Sequence, residues 1–240
     1  MQHEDNKNQK LAFVSDIQGK IISGELKPGA RLPSERSLVQ EYSISRGAVG
    51  QGLVELEKMG FVRIVPRQGV FVSEFRENAT PDTLAAIMLH RFDTVESSLF
   101  SDLMALRILV ERECVRLACK NINTAAILKL SVMTDDIFAA GENISDALYE
   151  YHRYIVYLSG NSAYLMVFQS FEKMLRLMMK LRYSEEKESR KCHREYALLS
   201  AALGRADADD AVEILDSILN SSARYLNNTL KSREQKYEES

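Results

Sequence analysis

Cysteine is scarce in this chain. Cys114, Cys119 and Cys192 form an odd, scattered set without CxxC spacing. That argues against a disulfide framework and against a structural zinc site, and it suits buried, inert thiols in a reducing cytosol. Histidine is nearly as sparse, at His3, His90, His152 and His193. No HExxH, no glycine-rich phosphate loop and no Ser/His/Asp or Cys/His constellation can be placed on one surface, so no enzyme is expected. No apolar run reaches the length of a membrane span, and the polar start MQHEDNKNQK is not a signal peptide. A cytoplasmic protein without a membrane partner is therefore expected. Positive charge is not in surplus either: the formal net charge is −3, which taken alone argues against nucleic acid.

What the chain does have is length for two modest domains, 240 residues, with 45% hydrophobic and 27% charged residues, an ordinary globular composition. Residues 11–23 predict a first helix with Leu11, Val14, Ile17 and Ile21 on its inner face. Gly24 ends it, and Lys27-Pro28-Gly29 is a turn signal. The informative stretch follows, from Leu32 to Val72. Ser34 stands ahead of an apolar-periodic run as a helix cap, with Glu35 suited to the positive helix end. That helix carries Leu38 and Val39 inward and stops near Tyr42. After Ser43-Ile44, Ser45 caps a second helix with Val49, Leu53, Leu56 and Met59 on one face, closed by Gly60. Two β-rich runs around Pro66-Arg67-Gln68-Gly69 predict a hairpin. Helix, tight turn, helix, hairpin is the plan of a winged helix-turn-helix, whose second helix enters a major groove.

From Lys10 to Glu74 nine Lys/Arg face seven Asp/Glu, a difference of only +2. Affinity for DNA would thus rest on a few well-placed cations, doubled in a dimer, and would be salt-sensitive. Arg36 stands at the start of the first of these two helices, near a phosphate or base edge. Arg46 stands at the start of the recognition helix, where a guanidinium can bond guanine O6 and N7 together. Arg67 and Gln68, at the hairpin tip, are placed to reach the adjacent minor groove. The alternative is that these arginines are solvated surface charges.

Gly24-Glu25-Leu26, Pro28-Gly29, Leu32-Pro33-Ser34-Glu35-Arg36, Ile44-Ser45-Arg46 and Gly69 with Phe71-Val72 together resemble the GntR family of bacterial repressors. The resemblance covers the first third of the chain and implies operator binding by a homodimer, with a second domain that senses a metabolite. The residues it brings to double-stranded operator DNA are Ser34, Arg36, Ser45, Arg46, Gly47, Gln51, Arg67, Gln68 and Gly69. One departure stands out. The family places a further arginine four residues after the position of Arg46; here that position is Gly50, within Arg46-Gly47-Ala48-Val49-Gly50-Gln51-Gly52. Three glycines in one helix cost about 1 kcal/mol each relative to alanine, so the free helix is expected to fray, and the operator to differ from the family's usual one. Gln51 is a substitute reader, since a carboxamide suits adenine.

Periodicity lapses in SEFRENATPDT, and Thr80-Pro81 reads as a cap and a first-turn proline. The organisation expected is a winged helix-turn-helix over residues 1–73, a linker over 74–83 and a helical domain over 84–240. Helices are predicted near 82–91, 98–120, 124–140, 144–159, 162–183, 188–204 and 208–231, with a frayed tail from Lys231. Their short connections imply an all-α antiparallel bundle, so the fold class is mostly α. The methionines at 166, 174, 178 and 179, set among Leu165, Phe168, Phe171, Leu175 and Leu177, fit core or dimer packing.

Arg107-Ile-Leu-Val-Glu111, Leu117-Ala118, Tyr151-His152, Leu158-Ser159-Gly160-Asn161, Glu195-Tyr196, Ala202-Leu203, Asp207 and Ala211 resemble the FCD effector domain, which places the chain in the FadR subfamily. Many members of that group hold a divalent metal with one aspartate and three histidines. Of that set only His152 remains: Leu148 occupies the aspartate position, Tyr196 and Ile218 the other histidine positions. His193 lies three residues before Tyr196, and a pair of histidines is a poor site, so no metal and no cofactor are expected. The four positions Leu148, His152, Tyr196 and Ile218 would instead line a drier pocket for an apolar body, with His152 and Tyr196 fixing a polar head. Arg107 is the candidate to pair with an effector carboxylate. An Arg107–Glu111 pair on the helix surface is the equal alternative, and a filled core that binds nothing is another. The function these features imply is a metabolite-modulated DNA-binding transcription regulator, a repressor. A ligand-independent dimeric DNA-binding module and a metal-binding regulator of the same family are the alternatives, with an all-helical enzyme bearing a DNA-binding head further off.

Overall fold

The computed structural model describes residues 2–90, 97–184 and 186–238, and the chain divides into two compact units between residues 92 and 93. The first unit opens with α1 (Gln2–Ile22), longer at its start than the sequence pattern predicts. Phe13, Val14, Ile17 and Ile21 are its buried face, whereas Leu11, expected inward, is 46% exposed. Phe13 takes the core position because its ring meets Tyr42 edge-on, with centroids 4.9 Å apart.

The helix pair forms as its caps dictate. The Ser34 hydroxyl accepts the Ser37 N–H at 3.2 Å and starts α2 (Glu35–Tyr42). Ser43, in the left-handed region at φ 54°, makes the tight turn. The Ser45 hydroxyl then accepts the Ala48 N–H, also at 3.2 Å, and starts α3 (Arg46–Lys58). Ala48, Val49, Gly52, Leu53 and Leu56 are the buried face of α3, and the helix packs on α1 and α2. Gly52 is a packing device and not a weak point. A Cβ there would lie 2.7 Å from two carbons of the Phe13 ring, so only glycine lets the helices come this close.

Strands β1 (Val62–Val65) and β2 (Gly69–Val72) pair antiparallel, from Val62 opposite Val72 to Val65 opposite Gly69, as the hairpin pattern predicts. Arg31 adds a bridge to Phe71, so the extended run before α2 lines the far edge of the wing. The first unit closes with α4 (Pro81–His90), started by the Thr80 hydroxyl accepting the Thr83 N–H at 3.3 Å. The Thr83 hydroxyl donates in turn to the Met59 carbonyl, and α4 packs on α1. The helix therefore belongs with the first unit, although its apolar pattern groups it with the helices that follow.

The second unit is all-helical: α5 (Ser97–Asn121), α6 (Thr124–Ala139), a single 3-10 turn (Gly141–Asn143), α7 (Ile144–Leu158), α8 (Ser162–Ser170), α9 (Glu172–Arg182), α10 (Glu186–Gly204) and α11 (Ala208–Glu238). Asn123 and Asn161 cap α6 and α8 through their side-chain oxygens. The middle of the unit is α7, packed on α5, α6, α8 and α9, with Leu148, Tyr149, Tyr151, His152 and Ile155 buried. Two boundaries differ from the sequence pattern. The single helix expected over 162–183 breaks at Phe171, and α11 runs on to Glu238 where fraying is expected from Lys231. The break carries no Gly or Pro, so the apolar periodicity runs straight through it.

Candidate functional site

The first unit carries the expected DNA-facing residues at two places, the paired helix starts and the wing tip. Arg46 begins α3 with its side chain 87% exposed, and its Nε lies 3.8 Å from the Glu35 carboxylate at the start of α2. The two capped helix starts are therefore adjacent. Arg36, Gly47 and Gln51 are exposed alongside. A pair this long and this exposed contributes little, so a phosphate or a guanine can take Arg46 from Glu35 at small cost. Ser34 and Ser45 are spent on their caps, which leaves them to fix the arginines' positions.

At the wing tip the Gln68 N–H donates to the Val65 carbonyl at 3.0 Å, with Pro66 second and Arg67 third in the turn. A proline followed by a positive φ is the type II pattern, and Arg67 supplies φ 65° where glycine is the ordinary choice. Arg67 and Gln68 are both exposed. Gly69, at φ 120°, lies beneath Arg31; a Cβ there would come within 2.9 Å of the Arg31 Nε. Arg31 is thereby held against the wing, a cation that motif reasoning passed over. The signal for it was available only in the pairing of its backbone with Phe71.

In the second unit Arg107, Glu111, His152 and Tyr196 form one continuous buried chain. The Arg107 Nε donates to Glu111 Oε1 at 2.6 Å, and the two side chains are 8% and 3% exposed. The other Glu111 oxygen is bonded to His152 Nδ1. His152 Nε2 lies 2.6 Å from the Tyr196 hydroxyl. In the tautomer with its proton on Nδ1, His152 donates to Glu111 and accepts from the Tyr196 hydroxyl at Nε2. Burial works to raise the Glu111 carboxyl, but the Arg107 guanidinium and the His152 imidazole outweigh it and hold it down at about 2. Burial pushes Tyr196 well up, which keeps its proton in place as a donor. Beside the chain, the Tyr151 hydroxyl shares a hydrogen bond of 2.6 Å with Ser200, and Ser200 one of 2.8 Å with Thr134.

The Arg107–Glu111 pair thus forms, but inside the unit and not on the helix surface. Glu111, given no site role from sequence, is its centre, and the four-residue spacing to Arg107 was the signal. Leu148 and Ile218 are fully buried on α7 and α11. A cleft beside Arg107 and Glu111 is walled by Leu103, Val110, Phe168 and Phe171, and Leu148, His152, Tyr196 and Ile218 do not line it. Its free space is about 30 Å³, room for a water and not for a metabolite. Of the four positions expected to line a pocket, His152 and Tyr196 are bonded to each other within the polar chain, and Leu148 and Ile218 are buried apolar side chains.

The donor set does not fit the divalent metal that the FCD resemblance brings to mind. Both nitrogens of His152 are already bonded, Leu148 and Ile218 offer no donor, and His193 lies against the Phe138 ring, centroids 4.6 Å apart. Among the described residues no three His, Cys, Asp or Glu gather as a metal site. The three cysteines are free and buried, and burial pushes Cys114 and Cys192 up to about 12. No helix among the described residues is long and apolar enough to cross a membrane.

The family model for bacterial regulatory proteins of the gntR family matches residues 12–72, and that for the FCD domain matches residues 102–221. The chain belongs to the gntR family. It carries the FCD domain of the FadR-like branch, a family of transcription regulators and not of enzymes. This GntR-family chain is 34% identical over 130 residues to the Glc operon transcriptional activator of Escherichia coli, over 54% of its own length and 49% of that protein's. It is 35% identical over 79 residues to the transcriptional regulator LutR of Bacillus subtilis, covering 33% and 36% of the two chains. The matched stretch thus spans about half or less of these relatives. Two solved structures share the fold: E. coli McbR/YncC, with TM-score 0.53, 21% identity and 92% and 98% of the chains covered, and Lar of Listeria monocytogenes, with 0.63, 14%, 93% and 96%.

Proposed function

We propose that this GntR-family protein is a cytoplasmic, homodimeric repressor that reads a two-fold-related operator and is modulated by a small carboxylic acid in its helical domain. The observation that carries it is the pair of adjacent capped helix starts presenting Arg36 and an 87% exposed Arg46 outward. Arg46 reads a base edge, Arg36 holds a phosphate, and Arg67 and Gln68 at the wing enter the neighbouring minor groove. A dimer sets two such heads at half-site spacing and doubles a small cation count. Relatives include an activator of the Glc operon and a repressor of arabinose metabolism. Repression is favoured because a dimer seated on DNA blocks transcription with no further contact.

Arg107 is the anchor for the effector. Since Glu111 already holds it, an effector carboxylate has to displace Glu111 and part α5 from Phe168 and Phe171. That costs energy, and the effector shifts the DNA-binding equilibrium only by what it gains in the opened state over the closed one. The filled interior also favours a second reading, a dimeric DNA-binding module that answers no ligand.

Genomic fragments captured by the purified full chain, followed by a thermal-shift screen of carboxylic acids and divalent metals, test these statements. Enrichment of fragments sharing an inverted repeat, with stabilisation by a carboxylate, supports the regulator. Enrichment with no ligand response selects the ligand-independent module. A monomer indifferent to duplex sequence at physiological ionic strength removes both.

A further inference from the structure

The outward face of α3 has an unusual middle. At about 100° per residue, Arg46, Gly50, Val54, Gly47 and Gln51 fall in that order across about 140° of arc. Arg46 and Gln51 are the edges, and the centre is Gly50, Val54 and Gly47. Val54 is 44% exposed, an apolar side chain turned to solvent. Neither Gly47 nor Gly50 has a structural reason to be glycine. A Cβ at either meets nothing within 4 Å, and neither takes a positive φ. Each therefore weakens the helix without helping it pack, in contrast to Gly52, which Phe13 requires.

We propose that this smooth centre is a thymine-reading face, with Val54 as a specificity-determining residue. The inference rests on operator binding through α3, proposed above. The homeodomain's recognition helix presents positions i, i+3, i+4 and i+7 to the base edges, and the same spacing on α3 picks out Gly47, Gly50, Gln51 and Val54. With no Cβ at 47 and 50 the groove floor comes close to the backbone of α3, near enough for the short Val54 side chain to touch a base. Val54 has no donor or acceptor, so the only major-groove feature it can recognise is the C5-methyl of thymine. Gln51, at the edge of the same face, is placed to bond the N6 and N7 of an adenine. Arg46 at the other edge reads guanine. Val54 lies about 12 Å along α3 from Arg46, so the half-site carries a thymine a few base pairs from the guanine that Arg46 holds.

The test uses the full chain and the duplex it selects from a randomised pool. That duplex is remade with deoxyuridine in place of thymidine, position by position, which removes one methyl and nothing else. Wild-type protein is expected to bind about fourfold more weakly for each contacted methyl lost. Val54→Ala, a change at an exposed position, is expected to erase that penalty. Gly50→Ala is expected to weaken binding to the thymine duplex while raising the thermal midpoint, so lost affinity cannot be blamed on misfolding. Equal binding to thymine and uracil duplexes, or an undiminished penalty in Val54→Ala, overturns the thymine assignment and leaves operator binding standing. A pool from which no duplex is enriched overturns both.

Discussion

His152 receives the Tyr196 hydroxyl at 2.6 Å on one ring nitrogen while Glu111 holds the other, so this buried imidazole has no atom left for a metal or a ligand. Tyr196→Phe should leave His152 Nε2 unpaired in the core and cost about 1–3 kcal/mol. Glu111→Gln keeps the shape but removes the counter-charge of a buried Arg107, for a larger loss of about 3–5 kcal/mol. Urea unfolding of the full chain, followed through the buried tyrosines, measures both. A smaller loss for Glu111→Gln than for Tyr196→Phe would mean that Arg107 finds water.

The acid limb of stability should follow Glu111. Its carboxyl is held at about 2 in the folded chain, below the ordinary value of 4.5. A depressed carboxyl contributes stability that is whole above the unfolded value and is lost as pH falls towards the folded one. Wild-type stability should thus fall between pH 4.5 and about 2, and the Glu111→Gln variant should lose the part of that slope due to this group. Urea midpoints at stepped pH give the comparison.

Gly52→Ala and Gly47→Ala should move stability in opposite directions. The first drives a methyl into the Phe13 ring, with an overpacking cost of about 1–3 kcal/mol. The second places a methyl in open space and should gain up to about 1 kcal/mol. Thermal melts decide, and a stabilising Gly52→Ala would mean that α1 yields easily.

Arg46→Ala should remove discrimination at the base that Arg46 reads while leaving the chain folded and its oligomeric state unchanged. Loss of one bidentate base contact is worth about 1–3 kcal/mol in each half-site. Gel shifts against specific and scrambled duplexes, paired with sedimentation of the free protein, check both halves of the statement. Unchanged specificity would take Arg46 out of the reading role.

Arg67 occupies a left-handed position at φ 65° that glycine would fill without strain. Arg67→Gly should stabilise the wing slightly, by about 1 kcal/mol or less, and, by taking one cation out of the minor groove, lower the dependence of operator binding on salt by about one released counterion for each Arg67 lost. A salt titration of operator affinity reads that slope.

The winged head was legible because its signals are local. Ser34 and Ser45 cap helices with their own hydroxyls, Gly60 closes α3, and Pro66 to Gly69 turn the wing; each needs only its neighbours in the chain. Leu11 and the break at Phe171 were not legible, since apolar periodicity marks a face without saying which member of it finds a partner. Phe13 took the core place of Leu11 because Tyr42, remote in sequence, received its ring.

By itself the sequence determined the family and most of the order of elements, which are written in residue type and spacing. Only the tertiary structure decided that Gly52 is a packing device and Gly50 an open face, since that depends on what stands opposite each. It alone also showed Arg107 and Glu111 turned inward onto His152. A four-residue spacing brings two charges together on a helix, but whether water or protein surrounds them depends on the helices packed alongside.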